Sequence, residues 1–387
     1  MSPRTRRRDA ESIGFVVSAL AWTLMPEAGP RPSVPSTLDG SAVATALVFH
    51  KVAATVAHAL RGVAVPPDVR AVIDAARRRQ AITSLQTKAD LLTLAETLDA
   101  AALPWAVVKG PAVAGSLYPD PLLRQYVDLD VLVSRHDMAA AVALLEGSGA
   151  RLLDRNWPLI AASGCGELTL RMSHGSVLDL HWTVVNDRRQ RATLRVPTGD
   201  LLGTTRMLDM TGTAFPALLR EEQLIHLAVH AFISSGRRLA WLTDVALAAG
   251  DGPNWDHVLA LARRWGVQGA VGAILQRTID VFPGAQIPPE VVQAALGTWR
   301  HVIRVADEVW SPGAAHLTAT GHSGTELLWA SRGGLSPSLR ALGAELKRGS
   351  RTRAQSRAVT AELLQIDVPD AGARADWFAQ LAGDNEP

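Results

Sequence analysis

The sequence predicts an α/β protein of the α+β kind, a small mixed sheet flanked by N- and C-terminal helical regions. Three observations carry this. Apolar residues recur with a period near 3.6 up to about residue 100. Short apolar strands separated by Gly- and Pro-bearing turns fill roughly 101–218, and helical periodicity returns from Leu218. The expected organisation is a helical region at 1–100, a sheet-bearing core at 101–218 and a helical domain at 219–387. With 387 residues, 48% hydrophobic and 20% charged, the chain can bury sizeable cores and is not globally disordered. Its formal net charge of +2 gives little support to a polyanionic partner.

The first element is an amphipathic helix. Arg4, Arg6, Arg7 and Arg8 precede "IGFVVSALAW", but Asp9 and Glu11 part the basic run from the apolar one. Ile13, Val16, Val17, Leu20 and Leu24 recur at helical spacing, which favours a helix over a signal peptide. Next, "SAVATALVFHKVAATVAHALRGV" and "PDVRAVIDAARRRQAITSLQTKADLLTLAETLDAA" read as helices, with Pro66 and Pro67 starting the second. Arg77, Arg78 and Arg79 read as a solvated helix face rather than a nucleic-acid patch. Cys165 is the single cysteine, so a disulfide within the chain and a thiolate zinc site are both excluded. No uncharged stretch reaches the roughly 18 residues that span a bilayer. The expectation is a cytoplasmic protein with no membrane partner.

In the core, "PWAVVKG" is a short strand ending in Gly110, and "PAVAGSLY" a brief helix started by Pro111. "PDPLLRQY" is a turn-rich link and "VDLDVLV" a second strand. "DMAAAVALLEGSG" is a helix ended by glycine, and "GELTLRMS" with "SVLDLHWTVV" forms a hairpin around His174-Gly175. Beyond it, "REEQLIHLAVHAF", "RLAWLTDVALAA" and "NWDHVLALARRWGVQGAVGAILQRTIDVF" read as three amphipathic helical segments, the last capped by Asn254. After about residue 300 the pattern weakens, and "AGDNEP" reads as a frayed tail.

Chemistry enters with "VDLDVLV". Residues i and i+2 share one face of a strand, so Asp128 and Asp130 point the same way. Like charges so placed are tolerable when a cation lies between them or solvent reaches both. Magnesium suits the pair, being hard and usually held by one or two carboxylates plus substrate phosphates. Asp179, in "SVLDLHW", supplies a third carboxylate if the second hairpin arm lies beside strand 127–133. Such a triad can hold two metals that stabilise the attacking and leaving oxygens of a phosphoryl transfer. A solvated strand edge is the plainer reading of an isolated D-x-D.

The stretch "VVKGPAVAGSLYPDPLLRQYVDLDVLV" resembles the signature of the uncharacterised nucleotidyltransferase family of bacteria, a branch of the DNA polymerase β-like superfamily. The likeness continues through "LDLHW", "LIHLAVHAF", "RLAWLTDVALAA" and "NWDHVLALARRWGV", over roughly residues 80–290. The resemblance implies a nucleotidyltransferase core, a nucleoside triphosphate substrate and two magnesium ions, with manganese as an alternative. By position it assigns Asp128 and Asp130 to the family's D-x-D, Asp179 to its third carboxylate, and Lys109-Gly110 to the end of its first strand. Val127 and Gln125-Tyr126 depart from the family's usual residues, which puts affinity and base preference in doubt.

Lys109, Gly110 and Arg124 are the candidate nucleotide-binding residues: two cations to neutralise phosphate and a glycine that lets it approach the backbone. Lys109 could equally be a surface lysine, and Arg124 could instead pair with Asp128 or Asp120. Gly115-Ser116 fits the superfamily's Gly-Ser spacing, but a P-loop is excluded because its lysine is missing. His181 shares the Asp179 face, as second support to a metal or as a sheet histidine. Glu222, His226 and His230 fall at i, i+4 and i+8, without the remaining pattern of a zinc site. Trp241 and Asp244 read as packing and hydrogen bonding between helices. Cys165 has no nearby histidine signal for nucleophilic work.

The function expected is transfer of a nucleoside monophosphate from a triphosphate to an acceptor hydroxyl, with release of pyrophosphate. A small molecule, peptide or protein is favoured as acceptor over tRNA. The alternatives are a toxin-like enzyme acting on tRNA, with Arg188, Arg189, Arg191 and Arg195 as a footprint, and a non-catalytic nucleotide-binding or scaffold protein in a natural-product pathway.

Overall fold

A computed structural model describes residues 3–25, 30–186, 188–191, 194–210, 212–234, 236–297, 362–368 and 371–383. The expectations for about 300–361 and for the last four residues lie outside these. The architecture is mixed α/β, a seven-stranded sheet flanked by helices. In chain order it runs α1 (Pro3–Leu24), α2 (Gly40–His50), α3 (Ala53–Ala59), α4 (Pro67–Ala100), β1 (Trp105–Val107), α5 (Pro111–Leu117) and β2 (Asp128–Val133). Then come α6 (Met138–Gly147), β3 (Arg151–Leu152), α7 (Trp157–Ser163), β4 (Glu167–Arg171), β5 (Val177–His181), α8 (Arg188–Arg191) and α9 (Thr198–Gly203). A last hairpin, β6 (Thr205–Asp209) and β7 (Ala214–Leu218), precedes α10 (Arg220–Ile233), α11 (Leu239–Gly250), α12 (Trp255–Arg264), α13 (Gln268–Val281), α14 (Pro289–Leu296) and α15 (Ala371–Gly383).

The strand order is β3-β4-β5-β2-β1-β7-β6. β2 runs parallel to β5 and antiparallel to β1, and β4–β5 is the expected hairpin. Among the described residues, every strand lies between Trp105 and Leu218. Leu129, Val131, Val133, Leu178 and Leu180 are fully buried on one face of the sheet. There they meet α4, α6 and α7, and Trp377 and Leu381 of α15 join them. The opposite face carries Asp128, Asp130, Asp179 and His181 and looks toward the other helices. There α1–α3 and α10–α14 share a single core, in which Leu20, Val43 and Leu47 pack in one cluster with Leu224, Leu239 and Leu242. Among the described residues, no helix is long and apolar enough to cross a membrane.

Several local expectations need correction. The first long helical stretch breaks at Lys51, whose backbone is left-handed (φ 55°), ending α2 before α3 begins. The 254–282 segment is two helices, because Gly266 turns left-handed at φ 64° and closes α12. Asn254 does cap α12, accepting from His257 N at 3.1 Å. Of "AGDNEP", Ala382 and Gly383 belong to α15 rather than to a frayed tail, its helix being held by Trp377 against Trp157 and Trp182.

Candidate active site

The sheet register brings the strand-borne carboxylates together. In the β2–β5 pair Asp130 stands directly beside Asp179, and Asp128 is two residues back on the same strand. The β4–β5 pair adds Glu167, opposite His181, a fourth carboxylate that the sequence reading missed. Its signal was the alternation in "ELTLR", where Leu168 and Leu170 face the core and Glu167 faces away.

Asp130 is the centre of the cluster and is buried. Its Oδ1 receives Lys109 Nζ at 2.6 Å and lies 3.0 Å from His181 Nε2. Burial alone would raise its pKa, but Lys109 and His181 outweigh that and hold the carboxyl well below the usual range. Lys109 is correspondingly raised: burial pulls it down, and Asp130 with Asp128 pulls it up further. His181 Nδ1 lies 3.1 Å from Glu167 Oε2, although without the alignment of a hydrogen bond. Asp128 forms no ion pair among the described residues; burial and the neighbouring Asp130 raise its pKa. Asp179 is pushed up to about 8, chiefly by burial, then by Glu167 and Asp130. Among the described residues, no three His, Cys, Asp or Glu side chains are grouped closely enough to hold a metal by themselves.

Gly110 follows β1 at φ 52°, ψ −116°, a backbone state open to glycine alone. A Cβ there would stand 3.1 Å from Asp128 O. The turn is braced by Arg124, whose Nη1 donates to Gly110 O at 3.1 Å. Arg124 also makes a forked pair with Asp244, at 2.9 and 2.8 Å, and Tyr118 Oη donates to the same carboxylate at 2.8 Å. Neither Asp120 nor Asp128 takes that role. Asp120 instead caps the turn at Leu122 N.

A cavity of about 190 Å³ opens over this floor, bordered by Lys109, Gly110, Tyr126, Asp128 and Asp130 below and by His230, Arg238 and Trp241 above. Lys51, unforeseen in the sequence, completes its wall. A larger cavity, about 590 Å³, lies between α1 and residues 30–38, away from the carboxylates. Of the departures from the family pattern, Gln125 and Tyr126 line the site, whereas Val127 is exposed outside it. Gln125 Oε1 accepts from Ala54 N at 3.0 Å and Tyr126 N donates to Gln80 Oε1 at 3.1 Å, so both tie the lip to α3 and α4.

Other candidates resolve into local roles. Ser116 donates back to Ala112 O within α5, and Gly115 lets that helix approach Asp209 O. Glu222 accepts from Thr204 Oγ1 and Leu219 N at the start of α10, so it does not join the two histidines. Burial, then Lys109, lowers His226 to about 3 and takes His230 well below its usual value. The Cys165 thiol is raised by burial, which suppresses the reactive thiolate. Arg77, Arg78 and Arg79 are exposed on α4. Arg191 donates to the carbonyls of Val185, Asn186 and Gly164, which holds a loop together instead of offering the guanidinium to RNA.

Residues 36–283, more than half of the chain, match the model of a family described as uncharacterised nucleotidyltransferase. The chain belongs to that family. The match begins earlier than the motifs suggested and so takes in α2, α3 and Lys51 along with the sheet and α10–α13. No curated protein matches the chain.

Proposed function

We propose that this nucleotidyltransferase moves a nucleoside monophosphate from a triphosphate to an acceptor hydroxyl, releasing pyrophosphate. The observation that carries the reading is the register of Asp130 with Asp179 beside the Gly110 turn, with Asp128 on the same face. Nucleotidyltransferases typically use magnesium. The donor set fits it: carboxylate oxygens, two on one strand, whose pKa values at Asp128 and Asp179 are raised by burial and by neighbouring carboxylates, a cost that a bound cation would relieve. Asp128 and Asp130 would hold the ion together with substrate phosphates, Asp179 completing the acceptor side. When bound, it would supply positive charge for the phosphates and for the developing oxyanions.

The chain's own residues do the rest. Gly110 lets phosphate approach the backbone, and Arg124 holds that turn in place rather than reaching for the nucleotide. Lys109 neutralises Asp130 and borders the phosphate space. The acceptor oxygen bonds to the α-phosphorus as the bond to the β-phosphate oxygen breaks; the electron pair leaves with pyrophosphate, and Asp179 takes the acceptor's proton. A small molecule, peptide or protein suits the acceptor role better than tRNA, given the small net charge and the commitment of Arg191.

The test is calorimetry with each of the four nucleoside triphosphates, with and without magnesium. Asp128→Asn should abolish the metal-dependent part of binding with the fold intact, and Asp179→Asn should retain part of the binding while turnover collapses. Unchanged metal-dependent binding in Asp128→Asn would end the assignment. Nanomolar tRNA binding at physiological salt would move the acceptor to RNA.

A further inference from the structure

Two cations on the cavity wall have no carboxylate partner among the described residues. Of the positive groups bordering the cavity, Lys109 is paired with Asp130 and Arg124 with Asp244. Lys51 and Arg238 form no ion pair among the described residues. They stand 187 positions apart in sequence, yet their neighbours are bonded: Leu239 N donates to His50 Nδ1 at 3.2 Å. That bond sets the end of α2 against the start of α11 and brings both cations to one wall, facing Asp128 and Asp130. Arg238 is stacked over Phe49 and Trp241, at 5.8 and 5.1 Å from their ring centroids, and its donor edge has no acceptor among the described residues. A planar guanidinium held by aromatic faces is suited to bidentate phosphate recognition. Burial lowers the pKa of Lys51 and Arg238 lowers it further, against a smaller opposing pull from Asp128. A sheltered pair of like charges is costly without an anion between them.

We propose that Lys51 and Arg238 form a clamp for a polyphosphate, holding the β- and γ-phosphates of the triphosphate and then the departing pyrophosphate. The link to the nucleotide rests on the transferase reading above; the anion site itself does not. As the α-phosphorus changes partners, negative charge grows on the pyrophosphate, on the side of the cavity where these cations stand. The clamp spans the end of α2 and the start of α11 on that wall, so the anion would tie the two helical regions to the sheet.

The backbone supplies a clean variant. Lys51 sits at φ 55°, where glycine is more comfortable than lysine, so Lys51→Gly removes the charge without straining the chain. Titrating the full chain with inorganic tripolyphosphate in EDTA probes the clamp free of metal. Lys51→Gly and Arg238→Gln should each weaken binding at least tenfold, and the double variant about a hundredfold, with the Lys51→Gly melting temperature equal or higher. Arg238→Lys should recover only part of the loss. No binding by the unaltered protein, or unchanged affinity in the double variant, overturns the clamp. A parallel titration with magnesium and each triphosphate tests the other reading. Tripolyphosphate binding that needs Lys51 and Arg238, without any metal-dependent triphosphate binding, would keep the clamp and remove the transferase assignment.

Discussion

Asp128 and Asp130 lie two residues apart on one strand, yet their surroundings give them opposite energetic roles. Asp130 neutralises buried Lys109, so Asp130→Asn leaves that lysine without its counter-charge and should cost about 3–5 kcal/mol. Asp128 forms no ion pair among the described residues and is raised by burial and Asp130, so Asp128→Asn should leave stability unchanged or raise it by about 1 kcal/mol. Urea denaturation of the two variants should therefore give shifts of opposite or clearly unequal size. The D-x-D pattern was legible because two carboxylates in an apolar strand are rare and chemically costly. Their inequality was not, since it depends on Lys109 and His181 arriving from other strands. His226 is a residue the sequence placed only on a helix face. It is buried, and neither ring nitrogen finds a hydrogen-bond partner among the described residues. Its folded pKa near 3 lies below the ordinary 6.5, so the unfolded chain binds more protons between those values. Stability from this group is complete above pH 6.5 and falls as pH drops toward 3, by up to about 1.4 kcal/mol per unit. His226→Leu should flatten the melting-temperature profile over that window and lose no stability at pH 7. An unchanged acid slope would show that other groups set it.

At the level of elements, the hairpin that carries Asp179 depends on a residue far from it. Asp90, fully buried in α4, accepts from His174 N and Ser176 N at 2.9 Å and lies 3.0 Å from His174 Nδ1. It fixes the β4–β5 turn against the long helix and so seats β5 beside β2. Asp90→Ala strips partners from two backbone N–H groups and should cost about 3 kcal/mol or more in urea denaturation. In the sequence Asp90 looks like any acidic residue on a helix, because nothing local marks what its carboxylate receives. β1, β2, β4, β5 and the long helices were legible from periodicity; β3, β6 and β7 were not, nor was the seven-stranded order, since the β6–β7 hairpin joins the sheet through β1 at long range. The two helix breaks differ instructively. Gly266 is a readable stop at the end of α12, and its neglect merged two helices. Lys51 carries no such mark, and a left-handed lysine between two Ala-rich stretches becomes visible only when the chain is folded.

Across the whole molecule, the site exists because three stretches of chain meet: α2–α3 with Lys51, the sheet with its carboxylates, and α10–α11 with Arg238 and Asp244. Arg124 fastens sheet to helices, forked onto Asp244 of α11 while its third nitrogen holds Gly110 O. Burial would lower the arginine's pKa, but Asp244 outweighs it and raises it, so Arg124 stays charged. Each partner's value then depends on the other. Asp244→Ala leaves Arg124 buried and unpaired, together with the Tyr118 hydroxyl, and should cost about 3–5 kcal/mol. Arg124→Met strands Asp244 and frees the Gly110 turn, at a similar cost. Combined, the two changes remove both charges from the interior, and the double variant should lie about 2–4 kcal/mol above the sum of the single losses. Nucleotide binding separates the fastener from the fold. The double variant should regain stability without regaining triphosphate affinity, because Gly110 has lost the guanidinium that set its turn. Additive losses in denaturation, or full affinity in the stabilised double variant, would show that Arg124 serves only to join α11 to the sheet.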